Sequence, residues 1–206
     1  MKYLKVFGLG WMAVPLIVLL SAASPARATV LCETTTTPCS AAYPAGTEIN
    51  ASLKSGTSMK FWRTEGSGWN TCIGSTLIAK TSNAGGSTET VGAEVGKANF
   101  AWGECAGTFE TLAAGPIEIH HITGTDSGTV TIKALEATWK FFPNDCAYGS
   151  SEAAHLGTLT GGEHPILDVE VLLSRTSGGG LACPPDLIME ASYAVTGPQP
   201  LYVEPS

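Results

Sequence analysis

The chain has 206 residues, including 24 glycines and 6 cysteines, and a formal net charge of −7. It carries 11 Lys or Arg against 18 Asp or Glu, which excludes the clustered cations that phosphate backbones and anionic membrane surfaces require. This length suits one domain with a sizeable core.

The first element in chain order is a predicted export signal. Lys2 and Lys5 precede an apolar run from Val6 to Leu20, and small residues follow up to Ala28. Ala26 and Ala28 supply the two small side chains that a signal peptidase reads, so cleavage is expected after Ala28. The run holds Gly8, Gly10 and Pro15 and falls short of the roughly 20 apolar residues of a membrane span. Leu31 before Cys32 is too large for a lipoprotein signal. The expected layout is therefore a signal at 1–28 and one secreted β domain at 29–206, with no integral membrane segment after cleavage. Lys2, Lys5 and Arg27 lie in the signal, which leaves the mature chain 8 basic and 18 acidic residues. Acidity of this size serves solubility and permits a cationic partner.

Residues 29–42 are polar and Thr-rich and read as an arm pinned by Cys32 and Cys39. From there, turn clusters recur every ten or so residues, at Ser55-Gly56, Gly66-Ser67-Gly68, Asn83 to Gly86, Asp126-Ser127-Gly128, Gly161-Gly162 and Gly178 to Gly180. Apolar residues alternate between them with period two, the pattern of a sheet with one face on a core. Ile49, Ala51 and Leu53 share one face. Leu167, Val169, Val171 and Leu173 share another, opposite Asp168 and Glu170. Leu187, Met189, Ala191, Tyr193 and Val195 form a third. The phase changes between Val95 and Ala98, and again between Ile132 and Leu135. A one-residue slip would turn every side chain to the wrong face, so each place should hold a β-bulge or a short turn. Residues 133–140 contain fair helix formers, but the alternation favours a strand. Residues 198–206 form an extended, proline-rich tail. The expected fold is all-β, an antiparallel sandwich or barrel stapled by disulfides.

An even cysteine count in an exported chain reads as a disulfide framework. Pairing in chain order gives Cys32–Cys39, Cys72–Cys105 and Cys146–Cys183. The main rival links Cys72 to Cys146 and Cys105 to Cys183, as duplicated halves of one sandwich would. A weak echo supports duplication: each half runs from a cysteine through paired glycines and an alternating strand to a second cysteine.

No motif defines an active site. Asp126-Ser127-Gly128-Thr129 matches the short aspartic-protease signature, but that chemistry needs two carboxylates sharing a proton and an apolar strand before the Asp. Here Thr123-Gly124-Thr125 come first, and a hairpin turn explains the residues. His120 and His121 point to opposite faces of a strand and cannot share a metal there. Glu118 could join His120, with His155 and His164 completing a site only if folding gathers them. There is no Gly-x-Ser-x-Gly elbow, no phosphate-binding glycine loop and no cofactor motif. Asp168 and Glu170 alternate along one strand and read as a solvated face. Trp62 and Trp69, set near turns, are the candidate ligand-binding residues, because exposed indoles stack on sugar rings. Trp102 and Trp139 read as core.

Several stretches taken together resemble a known group. They are Tyr43-Pro44-Ala45-Gly46-Thr47, Cys72-Ile73-Gly74-Ser75-Thr76, Cys146-Ala147-Tyr148, Ala191 to Thr196 and Pro200 to Val203. The sequence is similar there to a paralogous group of secreted, Cys-containing β-proteins of high-GC Gram-positive soil bacteria. The resemblance implies an exported β domain and carries over no functional residue. The functional expectation is a non-enzymatic secreted or cell-surface module with a protein or glycan partner and no nucleic-acid partner. The alternatives are a carbohydrate-binding module using Trp62 and Trp69, or a secreted hydrolase with a dispersed site.

Overall fold

A computed structural model describes residues 28–141, 144–179 and 182–206, apart from the side chains of Trp69, 96–103, 111–113 and 141. The expected signal therefore lies outside the described residues except for Ala28. Fourteen strands are described and no helix. In order they are β1 (Thr29–Cys32), β2 (Glu48–Leu53), β3 (Met59–Arg63), β4 (Gly68–Thr81), β5 (Val91–Cys105), β6 (Thr108–Ala114) and β7 (Ile117–His121). There follow β8 (Gly128–Ile132), β9 (Leu135–Phe141), β10 (Asn144–Gly149), β11 (Ala154–Thr160), β12 (Ile166–Ser177), β13 (Asp186–Gly197) and β14 (Tyr202–Pro205).

Of the two expected architectures the chain forms the barrel. Eight strands close in the order β2, β4, β5, β7, β8, β11, β12, β13 and back to β2, every pairing antiparallel. Closure gives each of the eight a partner on both sides, β5 meeting β7 through Val91–Ala93. The alternating residues point into the lumen: Leu167, Val169, Val171 and Leu173 from β12 face Met189, Ala191, Tyr193 and Val195 from β13. An eight-stranded barrel is just wide enough for side chains to fill.

Four ring strands are long, and their far halves carry a second tier. β13 pairs with β2 through Tyr193–Gly197 and with β3 through Leu187–Glu190. β4 likewise meets β2 with one half and β3 with the other. So β2 and β3 lie end to end in one slot, and the loop between them is extruded to the outside. On the other side β12 pairs first with β11 and then with β10, which continues through β9 to β6. Phe61, Phe109 and Trp139 fill this tier; Phe61 stacks on Phe109 with ring centroids 4.7 Å apart. One buried cluster runs through both tiers, from Leu31 to Val203.

Both expected phase changes are present. Opposite Leu77 and Ala79, β5 advances from Phe100 to Val95, so extra residues bulge between them. Lys133 and Ala134 form the short turn between β8 and β9, and the stretch that follows is strand, not helix. The polar arm needs correction. Thr29 to Cys32 are buried as β1 and pair with β14 of the tail, because Leu31, Leu201 and Val203 close one end of the apolar cluster. Only 33–42 remain arm-like.

The cysteines pair in chain order. Cys72 and Cys105 are direct partners across β4 and β5, with Cα atoms 4.1 Å apart. Cys146 departs from the expected repetition: it lies in β10 and reaches Cys183 in the turn before β13. Three disulfides are compatible with an oxidising, extracellular setting. No helix among the described residues is long and apolar enough to cross a membrane.

Candidate functional site

Inside the barrel, a small apolar cavity of about 30 Å³ lies between Ile49, Leu77, Ile119, Val130, Leu167 and Val195. The large concavity is instead on the outer wall, a groove of about 570 Å³ over β11, β12 and β13. Its origin is local. The extruded β2–β3 loop, with Gly56, Thr57 and Ser58, forms one rim. Gly157 forms part of the opposite side, at a bulge in β11. A Cβ at Gly157 would lie 1.9 Å from the Asp168 carbonyl oxygen, so only glycine lets β11 approach β12 there.

The charged residues come from the outward positions of neighbouring strands. Antiparallel register sets Glu170 of β12 opposite Glu190 of β13, and Glu190 opposite Lys60 of β3. The next row sets Thr158, Asp168 and Ser192 side by side. Ser192 donates its hydroxyl to the Asp168 carboxylate. Trp62 donates its Nε1–H to Glu190 Oε2 at 2.7 Å, and the Lys60 ammonium lies 5.7 Å from the centre of the Trp62 ring. The Glu170 carboxylate has no hydrogen bond or ion pair among the described residues. Two glutamates directly opposite each other repel, so this row carries an uncompensated negative charge facing solvent. His155 adds an imidazole at the groove edge.

The remaining candidates are dispersed. Trp62 is half-buried on the outer wall and covers its cross-strand partner Gly68. The side chain of Trp69 lies outside the described residues, as does that of Trp102. Trp139 is core, its Nε1–H bonded to the Ala106 carbonyl at 2.7 Å. His120 approaches Glu118 at 3.7 Å, while His121 bonds the Thr125 carbonyl through Nε2 at 2.8 Å. His164 is exposed before β12, so the four histidines do not converge. No group of three or more His, Cys, Asp or Glu among the described residues could hold a metal. Asp126-Ser127-Gly128 forms the expected hairpin between β7 and β8.

Sequence reading missed Glu190 as the partner of Glu170 and Lys60 as the partner of Glu190, and it missed Glu204, whose buried carboxyl lies beside Asp126. Outward alternation along β12 and β13 was the available signal for the groove, but register decides which outward residues are neighbours.

The described fold is an eight-stranded antiparallel barrel with a second tier and an external polar groove. No family model matches the chain, and neither the curated proteins nor the solved structures compared with it give a match.

Proposed function

We propose that this is a non-enzymatic secreted or cell-surface interaction module whose outer groove engages a cationic segment of a partner protein. The observation that carries the reading is the row Glu170–Glu190, unneutralised at its Glu170 end, in a groove of about 570 Å³ on the outer wall. A Lys or Arg side chain laid between these carboxylates relieves their repulsion and gains charge-assisted hydrogen bonds. Lys60 over Trp62 shows how an ammonium sits on this wall. The apolar lumen and polar exterior suit a protein working in water, the reverse of a membrane barrel. Export after Ala28, and kinship with the secreted Cys-containing β-proteins, belong to the same reading.

The test is binding of the 29–206 protein, with disulfides intact, to arrays of Lys/Arg-bearing peptides and to glycan arrays. Peptide binding that weakens with salt and drops at least about tenfold in E170Q/E190Q supports the reading, a loss of about 1.4 kcal/mol. Glycan binding lost in W62A, with no peptide binding, would replace it with the carbohydrate-binding alternative.

A further inference from the structure

At the opposite end of the molecule from the second tier, the β1–β14 pair closes the barrel over Leu31, Leu201 and Val203. Its anchorage is polar. The Val203 N–H donates to the Asp126 carbonyl at 3.0 Å, and the His121 N–H donates to Thr29 Oγ1 at 3.0 Å. Gly161 packs so closely on the Asp126 carbonyl that a Cβ there would lie 2.0 Å from its oxygen. The β7–β8 hairpin is thereby fixed against β14.

Into this junction β14 turns Glu204, which is 3% exposed. Its Oε2 accepts only a long bond from the Thr37 hydroxyl, 3.4 Å, and its Oε1 has no partner as an ionised group. The charged or titratable groups that face it are Asp126, from the β7–β8 loop, and His121, from the end of β7. β1 sets Val30 opposite it and the arm contributes only the hydroxyl. His121 uses Nε2–H on the Thr125 carbonyl, which leaves Nδ1 as a second buried acceptor without a donor. An ionised carboxylate cannot donate, whereas a protonated one can.

We propose that Glu204 holds a proton which it shares with Asp126, and that this shared proton latches the β1–β14 pair onto the end of the barrel and is released as pH rises. The buried carboxyl is the proton holder and the exposed Asp126 carboxylate is the acceptor. Burial, and then the neighbouring Asp126 charge, hold the Glu204 carboxyl above the ordinary glutamate range, against the pull of Thr37 and His121. The sign follows. From the ordinary value of 4.5 up to the raised one, the folded junction binds more protons than the unfolded chain. Stability of the closed junction therefore falls as pH rises through that window and stays lower above it.

Hydrogen exchange on the disulfide-intact 29–206 protein tests this, read as protection factors from about pH 4 to about pH 8 so that intrinsic rates cancel. Protection in β1 and β14 should fall relative to the centre of β12 and β13. The fall is about tenfold for each unit by which the closed junction raises the carboxyl. E204Q keeps shape and a donor and should hold β1 and β14 protection constant across the range. D126N provides a second variant, removing the acceptor charge, and should make the fall smaller without abolishing it, since burial of Glu204 remains. An equal fall in E204Q, or a wild-type profile in which β1 and β14 track β12 and β13, would overturn the latch.

Discussion

At the scale of single residues, two enclosed tyrosines keep their hydroxyls hydrogen-bonded. Tyr193 is fully enclosed, yet its hydroxyl meets Ser75 Oγ at 2.8 Å. Tyr148, also enclosed, donates to the Pro184 carbonyl at 3.2 Å. Burial raises both phenols, Tyr148 to about 12 and Tyr193 further still. The unfolded chain loses these protons from about pH 10, while the folded chain keeps them. Stability is therefore whole below about pH 10 and declines as pH rises through the tyrosine range. Denaturant midpoints measured from neutral pH upward should fall, and Y148F should show a shallower fall than the parent. Y193F should cost about 1–2 kcal/mol at neutral pH, since Ser75 loses a buried partner. An unchanged denaturation midpoint would place that hydroxyl outside the stability of the core.

Among the elements, the pairings that build the groove are also those that depend on close backbone approach. G157A puts a methyl group against the Asp168 carbonyl and must push β11 away from β12. We expect a loss of about 3 kcal/mol, the upper end of the overpacking range, and a weakened groove in the same variant; equal thermal stability of G157A and parent would contradict the packing. The disulfides can be ranked by the loops they close. Their separations are 37 and 33 residues for Cys146–Cys183 and Cys72–Cys105, against 7 for Cys32–Cys39. Chain entropy gives about 4 kcal/mol for each long loop and about 2.5 kcal/mol for the short one. Paired Cys→Ala variants, compared by denaturant unfolding, should follow that order.

For the whole molecule, the proposed export constrains the order of cleavage and folding. Thr29 is fully buried, its N–H bonded to the Glu89 carbonyl and its carbonyl to the Gly86 N–H. A peptidase cannot reach a bond flanked by that residue once β1 is docked, so the cleavage expected after Ala28 would have to precede closure of the barrel end. N-terminal sequencing of exported protein should give Thr29 as the first residue. Recovery of Met1 or Lys2 in a membrane fraction would remove both the export reading and the timing that follows from it.

The alternation of Leu167, Val169, Val171 and Leu173 against Asp168 and Glu170, and the phase breaks before Ala98 and Leu135, were legible because strand period and side-chain chemistry are local properties. The cysteine order was legible as the preferred pairing, since Cys72 and Cys105 bracket adjacent strands. The arm was misread because Thr29 to Cys32 are polar at both ends, and only pairing with β14 and contact with the apolar cluster make that strand buried. Closure into a barrel, instead of two stacked sheets, depends on β13 finding β2 more than 130 positions away in the chain. The Glu170–Glu190–Lys60 row and the meeting of Asp126 with Glu204 likewise join residues far apart in sequence. Such contacts are set by register and by which strands become neighbours. Those are products of burying the whole core at once, and no stretch of the chain encodes them alone.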